Sequence, residues 1–278
     1  MKQVPARLLI IAGSDSSGGA GIQADIKTAT ALGAYAMTAI TAVTAQDTRG
    51  IHAIHPIPAA IVREQIAWTL ADIGADAVKI GMLGSAEIVE AVADVLTEPA
   101  KNIPIVLDPV LASTSDTVLL GESGQRAMKS LLFPLSAVIT PNIPEAEILA
   151  GISIHGPEDV MRAAEILCEG GAKAVLIKGG HAEEPEVLDT LVLCGSPESY
   201  RFASLRIDTP HTHGTGCTLA TAIAAGLGQG FSLHDAAERA HLFVYNAIEA
   251  APGFGADKGP LNHMHAIPEY RFKSRFED

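Results

Sequence analysis

Segment 213–218 combines two glycines with a thiol, directly before an apolar run over residues 219–227. Gly214 and Gly216 allow the backbone to turn several N–H groups toward one point, and a helix starting near Cys217 adds the positive end of its dipole. Phosphate oxygens bind in such a setting. A helix N-terminus also lowers a thiol pKa, which makes Cys217 a candidate proton acceptor as well as a small buried side chain. The segment therefore predicts a phosphoryl-transfer centre.

Two carboxylates follow short apolar runs that are typical of strands. Asp108 directly precedes Pro109, and Glu145 comes three residues after Asn142. Mg²⁺ commonly binds one or two carboxylates together with water and substrate phosphates. Each residue also has a plain structural explanation: Asp108 can form a turn, and Glu145 can complement the dipole of a helix that starts at Asn142. These explanations do not account for both carboxylates lying at strand ends that converge on one crevice of the predicted sheet. Their convergence favours a magnesium site.

One lysine stands where surface solvation explains it poorly. Lys178 ends the apolar run 175–177 and precedes two glycines. A point cation at this place can neutralise phosphate charge. His181, His211 and His213 are ambiguous, because a His-x-His pair could bind a metal but no third ligand follows at a recognisable spacing. We assign Lys178 to the phosphate site and leave the histidines unassigned.

The glycine- and serine-rich segment 13–21 lies between a predicted strand and a predicted helix. It looks like the nucleophile segment of chymotrypsin-like proteases, but those are β-barrels, and the chain has no Gly-Lys-[Ser/Thr] sequence of a Walker A loop. The segment is therefore a plain connecting loop or a flexible loop that closes over a small ligand. Asp25 is either a helix N-terminal acid or a carboxylate for a ligand hydroxyl or amine. Gln46 ends a β-branched strand, and its amide either stays structural or pairs with a heteroaromatic ring edge.

Composition excludes several classes of function. The formal net charge of −13 argues against binding to nucleic acid or to anionic membranes. The three cysteines have no close spacing, so we expect no disulfide framework, a reducing cytoplasm, and packing roles for Cys168 and Cys194. The apolar run 8–12 is too short for a signal peptide or a membrane span. We expect a soluble cytoplasmic protein with small-molecule partners.

Strand-like apolar runs alternate with helical patterns, which predicts βαβ units, a mostly parallel sheet and, without any linker, one domain over residues 1–278. The hydrophobic content of 48% with only 4% aromatic residues suits such a sheet covered by helices. Ligands in such sheets bind beyond the carboxyl ends of the strands, where the polar segments described above fall. The expected strands are 8–12, 38–45, 77–80, 105–107, 137–140, 174–177 and 191–193, and the expected helices are 21–32, 61–73, 87–96, 144–150, 160–168, 214–227 and 236–250.

Seven segments, taken together and in order, resemble the hydroxymethylpyrimidine/phosphomethylpyrimidine kinases of thiamine biosynthesis, in the ribokinase-like superfamily. The resemblance extends over about residues 7–268. Cys217 is its most discriminating element, because most of the wider superfamily carries an aspartate at that place. The segments are 12–25, 45–47, 79–83, 108–110, Pro141-Asn142 with Glu145, 178–181 and 213–218.

The resemblance implies a three-layer α/β/α fold and two ATP-dependent phosphorylations. The first converts 4-amino-5-hydroxymethyl-2-methylpyrimidine to its monophosphate, and the second converts the monophosphate to the diphosphate. Related kinases are often dimers, so a homodimer is expected. By resemblance, Gln46 and Asp25 hold the pyrimidine, Gly13, Met82 and Val110 line its pocket, Asp108 and Glu145 position Mg²⁺, Lys178 meets the ATP phosphates, and Gly214, Thr215, Gly216 and Cys217 form the anion hole.

The chain departs from the family pattern in two places. Asp116-Thr117 stands where family members commonly have Gly-Asp, so a flap over the substrate can differ. Segment 255–263 replaces a version richer in histidine and glycine, and we expect it near the nucleotide, where it would affect ATP affinity.

Three other activities fit parts of the pattern. A pyridoxal kinase of the same superfamily is the nearest alternative, since the two pockets are alike. A catalytically silent regulator on the same fold is a second alternative, but the complete lysine, acidic and cysteine positions argue against it. Sugar or nucleoside kinases fit the setting of Gln46 and Cys217 less well.

Overall fold

Nine strands in the described part of the chain form one mixed sheet. The computed structural model describes residues 4–113, 117–180 and 185–268. The strands are β1 (Arg7–Asp15), β2 (Tyr35–Asp47), β3 (Gly50–Pro56), β4 (Ala77–Ile80), β5 (Ile105–Leu107), β6 (Val138–Ile139), β7 (Ala174–Ile177), β8 (Glu186–Leu193) and β9 (Ser199–Leu205). Their spatial order is β3-β2-β1-β4-β5-β6-β7-β8-β9. The six central strands are parallel, and β3, β8 and β9 run antiparallel to their neighbours, which confirms a mostly parallel sheet.

Alternate side chains of the central strands pack on opposite faces of the sheet. In β1, Leu9 and Ile11 join one apolar core, and Leu8 and Ile10 join another. All four are at most 1% exposed. Both faces therefore have to be covered by helices, which explains why the strands read as uninterrupted apolar runs.

Eight α-helices of the described residues cover the two faces. They are α1 (Gly21–Ala31), α2 (Ala59–Asp72), α3 (Ala86–Leu96), α4 (Glu122–Ala127), α5 (Ile143–Ala150), α6 (Pro157–Glu169), α7 (Thr215–Gly228) and α8 (Leu233–Glu249). The core around Leu8 is completed by α1, α7 and α8, and the core around Leu9 by α2, α3, α5 and α6. The predicted three-layer α/β/α fold is confirmed. None of the described helices has the length and apolar content to cross a bilayer.

Three elements escaped the sequence-based prediction. The edge strand β3 is mostly exposed and has no apolar run, so nothing marked it as a strand. β9 alternates between exposed and less exposed residues, and α4 has only six residues. Elsewhere the predicted type is confirmed, and the strands 77–80, 105–107 and 174–177 begin and end as predicted.

The loop expected over residues 13–21 is confined to residues 16–20, because residues 13–15 belong to β1 and α1 begins at Gly21. β1 continues through Asp15, which pairs with Thr44 of β2. The rest of the segment folds around the Asp15 carboxylate, which accepts hydrogen bonds from the N–H groups of Ser17 and Ala20, both at 2.8 Å. The segment is therefore the end of a strand followed by a short hydrogen-bonded turn.

The two cysteines predicted to be packing residues instead form a disulfide. Cys168 near the end of α6 and Cys194 just after β8 have Cα atoms 5.4 Å apart. Their sequence separation of 26 hid the pair, but β7 and β8 form a hairpin on which α6 packs. Cys217 is a free cysteine. The expectation of a reducing cytoplasm rested on the absence of disulfides, so this disulfide removes the basis for that expectation.

The strand order places a crevice at the carboxyl edge of the sheet. After β1 the chain adds β2 and β3 on one side and then returns to add β4 on the other side. Ligands in open α/β sheets bind at such a switch point, beyond the carboxyl ends of the strands. The residues that the parallel strands bring to this edge are Asp15, Gln46, Met82, Asp108 and Lys178.

Candidate active site

A cavity of about 530 Å³ opens at this edge, beside the N-terminal end of α7. Pockets for small organic ligands span roughly 300–1,000 Å³, so the cavity can hold a small ring next to a phosphate chain. Its wall contains every site residue predicted from the sequence except Asp25. The predicted residues on the wall are Gly13, Gln46, Met82, Asp108, Val110, Glu145, Lys178, Gly214, Thr215, Gly216 and Cys217.

Glycines shape the end of the cavity that suits phosphate. Gly214 has a φ of +87°, and a Cβ at this position would collide with the carbonyl oxygen of Gly19. α7 begins at the next residue without a side-chain cap, so the N–H groups of its first turn have no side-chain acceptor. A Cβ on Gly216 would lie 3.1 Å from Lys178 Nζ and 3.5 Å from Asp108 Oδ2. A helix start, a cation and a carboxylate therefore converge at position 216.

Lys178 is held between two carboxylates. Its Nζ donates a hydrogen bond to Asp108 Oδ1 at 2.8 Å and lies 3.9 Å from Glu145 Oε2. Burial would lower the pKa of Lys178, but the charges of Asp108 and Glu145 outweigh burial and raise it above its usual value. The ammonium group is therefore charged at neutral pH and can bind phosphate oxygens.

Glu145 serves as a helix cap and as part of the cavity wall. Its N–H donates to Asn142 Oδ1 and its Oε2 accepts from the Asn142 N–H, both at 2.8 Å, which completes a capping box. Burial raises the pKa of Glu145 to about 7, against the effect of Lys178 and with the help of Asp108. Two crowded carboxylates of this kind fit Mg²⁺, because oxygen ligands and negative charge are what that ion requires.

Cys217 lies on the cavity wall, but its thiol is not activated as the sequence predicts. Burial raises the pKa of Cys217 to about 11; Lys79 and the N–H of Gly21 oppose this shift, whereas the charges of Asp25 and Asp108 add to it. The prediction of a lowered pKa is therefore wrong, because desolvation of the sulfur outweighs the helix dipole. At neutral pH the group is a thiol, which can donate a hydrogen bond but is not a ready proton acceptor.

Asp25 lies behind the cavity wall rather than on it. Its fully buried carboxylate accepts hydrogen bonds from Lys79 Nζ at 2.8 and 3.0 Å and from Thr221 Oγ1 at 2.7 Å. The placement expected from the resemblance, in contact with a ligand, is corrected, because this carboxylate neutralises a buried lysine. The one signal in the sequence was Lys79 itself, a charged residue inside the apolar strand 77–80.

Gln46 contacts a histidine that the sequence left unassigned. Its Nε2 lies 3.3 Å from His213 Nε2, which in turn lies 2.9 Å from Asp15 Oδ2. Thr44 Oγ1 donates to Gln46 Oε1 at 3.1 Å. Burial would raise the pKa of Asp15, but its hydrogen bonds, with that of His213 the largest, lower it. Asp15 and His213 also line the cavity, and only their places in segments already singled out pointed to them.

Gly13, Met82 and Val110 form an apolar part of the wall. A Cβ on Gly13 would lie 3.0 Å from Met82 Sδ, so the glycine lets the thioether approach the end of β1. Thr41 Oγ1 donates to the Met82 carbonyl oxygen at 2.6 Å and fixes that loop. This surface suits the face of a heteroaromatic ring whose polar edge meets Gln46.

The two departures from the family pattern lie in different surroundings. The N–H of Thr117 donates to Ser113 Oγ at 3.1 Å, and Asp116 is outside the described residues, as is His181. In segment 255–263, Lys258 lines the cavity and the Gly259 carbonyl accepts the His213 N–H at 3.1 Å. The segment therefore borders the cavity, and its nearness to the nucleotide and its effect on ATP affinity stay predictions.

The geometry suits transfer of a phosphoryl group to a bound alcohol. Such a reaction needs positioning and charge stabilisation more than a protein nucleophile, and α7, Lys178 and the carboxylates supply both. The fold and the site thus define a small-molecule phosphotransferase. The family model described as phosphomethylpyrimidine kinase matches residues 15–262, and the chain belongs to this family.

Curated relatives agree with the family assignment. The hydroxymethylpyrimidine/phosphomethylpyrimidine kinase of Bacillus subtilis strain 168 is 46% identical over 93% of this chain and 94% of its own length. The thiamine biosynthesis bifunctional protein ThiED of Geobacter sulfurreducens is 45% identical over 95% of this chain. This chain spans only 53% of that longer relative.

Solved structures share the fold closely. A phosphomethylpyrimidine kinase from Clostridium difficile 630 aligns with a TM-score of 0.77 and 40% identity, covering 87% of this chain and 99% of that one. A Bacillus subtilis pyridoxal kinase in an ADP complex aligns with a TM-score of 0.86 and 35% identity, covering 94% of this chain and 98% of that one. The resemblance to the hydroxymethylpyrimidine/phosphomethylpyrimidine kinases of the ribokinase-like superfamily is therefore confirmed.

Proposed function

We propose that this protein uses ATP to phosphorylate 4-amino-5-hydroxymethyl-2-methylpyrimidine and then its monophosphate. One observation carries the proposal: Gln46 and Cys217 border the same cavity as Lys178. A ring held by the Gln46 amide and the apolar surface of Met82 would direct its hydroxymethyl group toward the start of α7. The names of the relatives at 44–46% identity support the same substrate.

In the first step, the hydroxymethyl oxygen attacks the γ-phosphorus of ATP, the bond from this phosphorus to the β,γ-bridging oxygen breaks, and ADP leaves. Lys178 and the N–H groups at Gly216 and Cys217 stabilise the charge on the migrating phosphoryl group. Because the pKa of Cys217 is raised to about 11, its thiol orients the alcohol by a hydrogen bond. The alcohol proton then leaves late, to a phosphoryl oxygen, in a loose transition state that needs little help from a base.

In the second step the nucleophile is a phosphate oxygen, which carries no proton that must be removed. The role of Cys217 can therefore be separated from that of the phosphate site. If the thiol is needed as a base, Cys217→Ala loses the first phosphorylation and keeps the second. If it only orients the alcohol, the variant keeps both, with a raised KM in the first step.

Asp108 and Glu145 would hold Mg²⁺, which supplies Lewis-acid shielding of phosphate charge when it is bound. Two buried carboxylates beside one lysine support this fit. The pKa of one of them, Glu145, is raised to about 7. Lys178 Nζ lies 2.8 Å from Asp108 Oδ1 and would lie between the carboxylates and the phosphate chain. Terbium luminescence or calorimetry with Mg²⁺, compared between wild type and Asp108→Asn, tests this site without turnover.

The decisive experiment incubates the purified protein with ATP, Mg²⁺ and hydroxymethylpyrimidine and resolves the monophosphate from the diphosphate. Both products are expected in sequence, and Lys178→Met is expected to form neither at a measurable rate. Wild-type protein that hydrolyses or binds ATP but forms no pyrimidine phosphate would overturn the proposal.

Pyridoxal is the second candidate substrate, because pyridoxal kinases are among the structures most similar to this chain. Comparison of kcat/KM for hydroxymethylpyrimidine and pyridoxal in one preparation decides between them. We expect the pyrimidine to be preferred.

We also propose that the protein forms a homodimer, acts in the cytoplasm and folds as one domain. Exposed apolar side chains near one edge of the sheet support the dimer, namely Val43 at 46%, Ile54 at 40% and Trp68 at 73% exposure. One continuous nine-stranded sheet supports the single domain. Light scattering coupled to size exclusion tests the dimer, and a single cooperative unfolding transition tests the domain count.

A further inference from the structure

The backbone of Gln46 is held in place, but its side-chain amide has two possible orientations. The Ser16 hydroxyl donates to the Gln46 carbonyl oxygen and accepts the Gln46 N–H, both at 2.8 Å. One end of the side-chain amide lies 3.1 Å from Thr44 Oγ1 and the other lies 3.3 Å from His213 Nε2. A half-turn about the last side-chain torsion exchanges the oxygen and the NH₂ group, so the neighbouring groups decide which end is oxygen.

Asp15 fixes the proton on the imidazole that contacts this amide. Its carboxylate accepts hydrogen bonds from the N–H groups of Ser17 at 2.8 Å, Gly19 at 3.2 Å and Ala20 at 2.8 Å. A carboxyl group surrounded by donors in this way is ionised and can only accept hydrogen bonds. His213 Nε2 lies 2.9 Å from Asp15 Oδ2 and therefore carries a proton, which it donates to this carboxylate.

The orientation that turns the NH₂ group toward His213 creates two conflicts. The NH₂ group then faces the protonated Nε2 of His213 at 3.3 Å, a donor against a donor. Thr44 Oγ1 has one proton for two acceptors, the Ser14 carbonyl oxygen at 3.0 Å and Gln46 Oε1 at 3.1 Å. The reversed amide removes both conflicts. Its oxygen shares the His213 N–H with Asp15, and its NH₂ group donates to Thr44, whose own proton stays with Ser14.

We propose that Asp15 and His213 hold the Gln46 amide in this reversed orientation and thereby make the pocket select 4-aminopyrimidines over 4-oxopyrimidines. This inference rests on the proposed pyrimidine substrate and deepens it. Gln46 is the residue that contacts the ring, and Asp15 and His213 are positioning residues that act through it.

The fixed amide offers an oxygen lone pair on the His213 side and an N–H on the Thr44 side. A 4-aminopyrimidine has a donor at C4 beside an acceptor at N3, so its amino group would lie on the His213 side. His213 directly precedes Gly214, the residue before α7. Because C5 is bonded to C4, the hydroxymethyl group on C5 would then lie toward the start of α7, where the proposed reaction requires it.

A 4-oxopyrimidine presents the opposite order, with an acceptor at C4 and a donor at N3. It could pair with the same fixed amide only by turning over, and its hydroxymethyl group would then lie away from α7. An amide free to rotate would instead pair with either ring in the productive position. The orientation of the amide is therefore what separates the two ring types.

The test measures by calorimetry the binding of 4-amino-5-hydroxymethyl-2-methylpyrimidine and of its 4-oxo analogue, without nucleotide. Wild type is expected to bind the amino compound at least about tenfold more tightly, because the oxo compound leaves polar groups unpaired. In His213→Leu no N–H holds the amide oxygen, and the Thr44 hydroxyl can either donate or accept. The amide then turns to suit either ring, and the ratio of the two affinities is expected to fall to near one.

Two further variants separate this role from a merely structural one. His213→Gln can place an NH₂ group where Nε2 lies, so it is expected to restore the preference for the amino compound. His52→Leu is the matched control: His52 also pairs with an aspartate, Asp47 at 3.2 Å, but it is not among the residues that line the cavity. The control is expected to keep the wild-type ratio of affinities.

An equal ratio in wild type and His213→Leu would overturn the proposal, as would a wild type that binds both compounds equally. Should the His213 variants fail to fold, ¹⁵N spectra of the wild-type imidazoles decide, and a His213 protonated on Nδ1 alone would overturn it. A protein that phosphorylates both rings alike keeps the proposed function and loses this inference. A protein that binds the amino compound selectively but forms no pyrimidine phosphate disproves the proposed function and leaves this result standing.

Discussion

Lys79 and Asp25 form an ion pair in which neither side chain is exposed to solvent. The pair joins β4 to α1 just behind Cys217, and Thr221 of α7 completes it. Removing one partner leaves an uncompensated buried charge, whereas removing both leaves none.

We therefore expect Lys79→Met to lower the free energy of unfolding by about 3–5 kcal/mol. The double variant Lys79→Met with Asp25→Leu should recover most of that loss. Urea unfolding of the single and double variants measures both values. Additive losses in the double variant would show that the two charges do not interact.

The thiol of Cys217 should react slowly at neutral pH. Burial raises its pKa to about 11, so the reactive thiolate forms only as the pH rises toward that value. The rate of alkylation by iodoacetamide is expected to keep increasing above pH 9, whereas an ordinary cysteine levels off near its pKa of about 8.5. Cys217→Ser supplies the blank, and a midpoint near 8.5 would contradict the burial argument.

Gly216 should not tolerate a side chain. An alanine Cβ would lie 3.1 Å from Lys178 Nζ and 3.5 Å from Asp108 Oδ2, so it would displace the ammonium group from the phosphate site. We expect kcat of Gly216→Ala to fall at least about tenfold with little change in the unfolding temperature. Gly121→Ala, where a Cβ would meet no atom within 4 Å, is the control.

The disulfide between Cys168 and Cys194 should stabilise the protein in oxidising buffer. It closes a loop with a sequence separation of 26, for which chain entropy predicts about 3.5 kcal/mol. Reduction of wild type is expected to lower the unfolding temperature to that of Cys168→Ser with Cys194→Ser. A double variant unaffected by oxidant but as stable as oxidised wild type would contradict this estimate.

Much of the fold could be predicted from local sequence. Apolar runs such as 105–107 and 174–177 predicted strands with their observed bounds, because a strand covered on both faces is apolar throughout. The edge strand β3 could not be found in this way, since its pairing with β2 is its main reason to be a strand. The same limit hid α4, which is too short to show a periodic pattern.

The residues of the candidate site likewise fall into those that the local sequence marks and those that it does not. Glycines, Lys178 and the acids at strand ends were visible, because their residue types are unusual for the elements that they end. His213 and Asp15 were not assigned, because each depends on a partner far away in the chain. Asp25 was assigned to a ligand by resemblance, and its actual partner Lys79 could not be recognised because it is 54 residues away in the sequence.

The sequence alone determined the layer structure and the residues that reach the carboxyl edge of the sheet, because the apolar pattern of each strand and the residues that follow it are local properties. Only the tertiary structure decided the charge states. The thiol of Cys217 stays protonated, Glu145 is poised to lose its proton and Asp25 faces a lysine, because desolvation and the distance between charges exist only after the chain has folded.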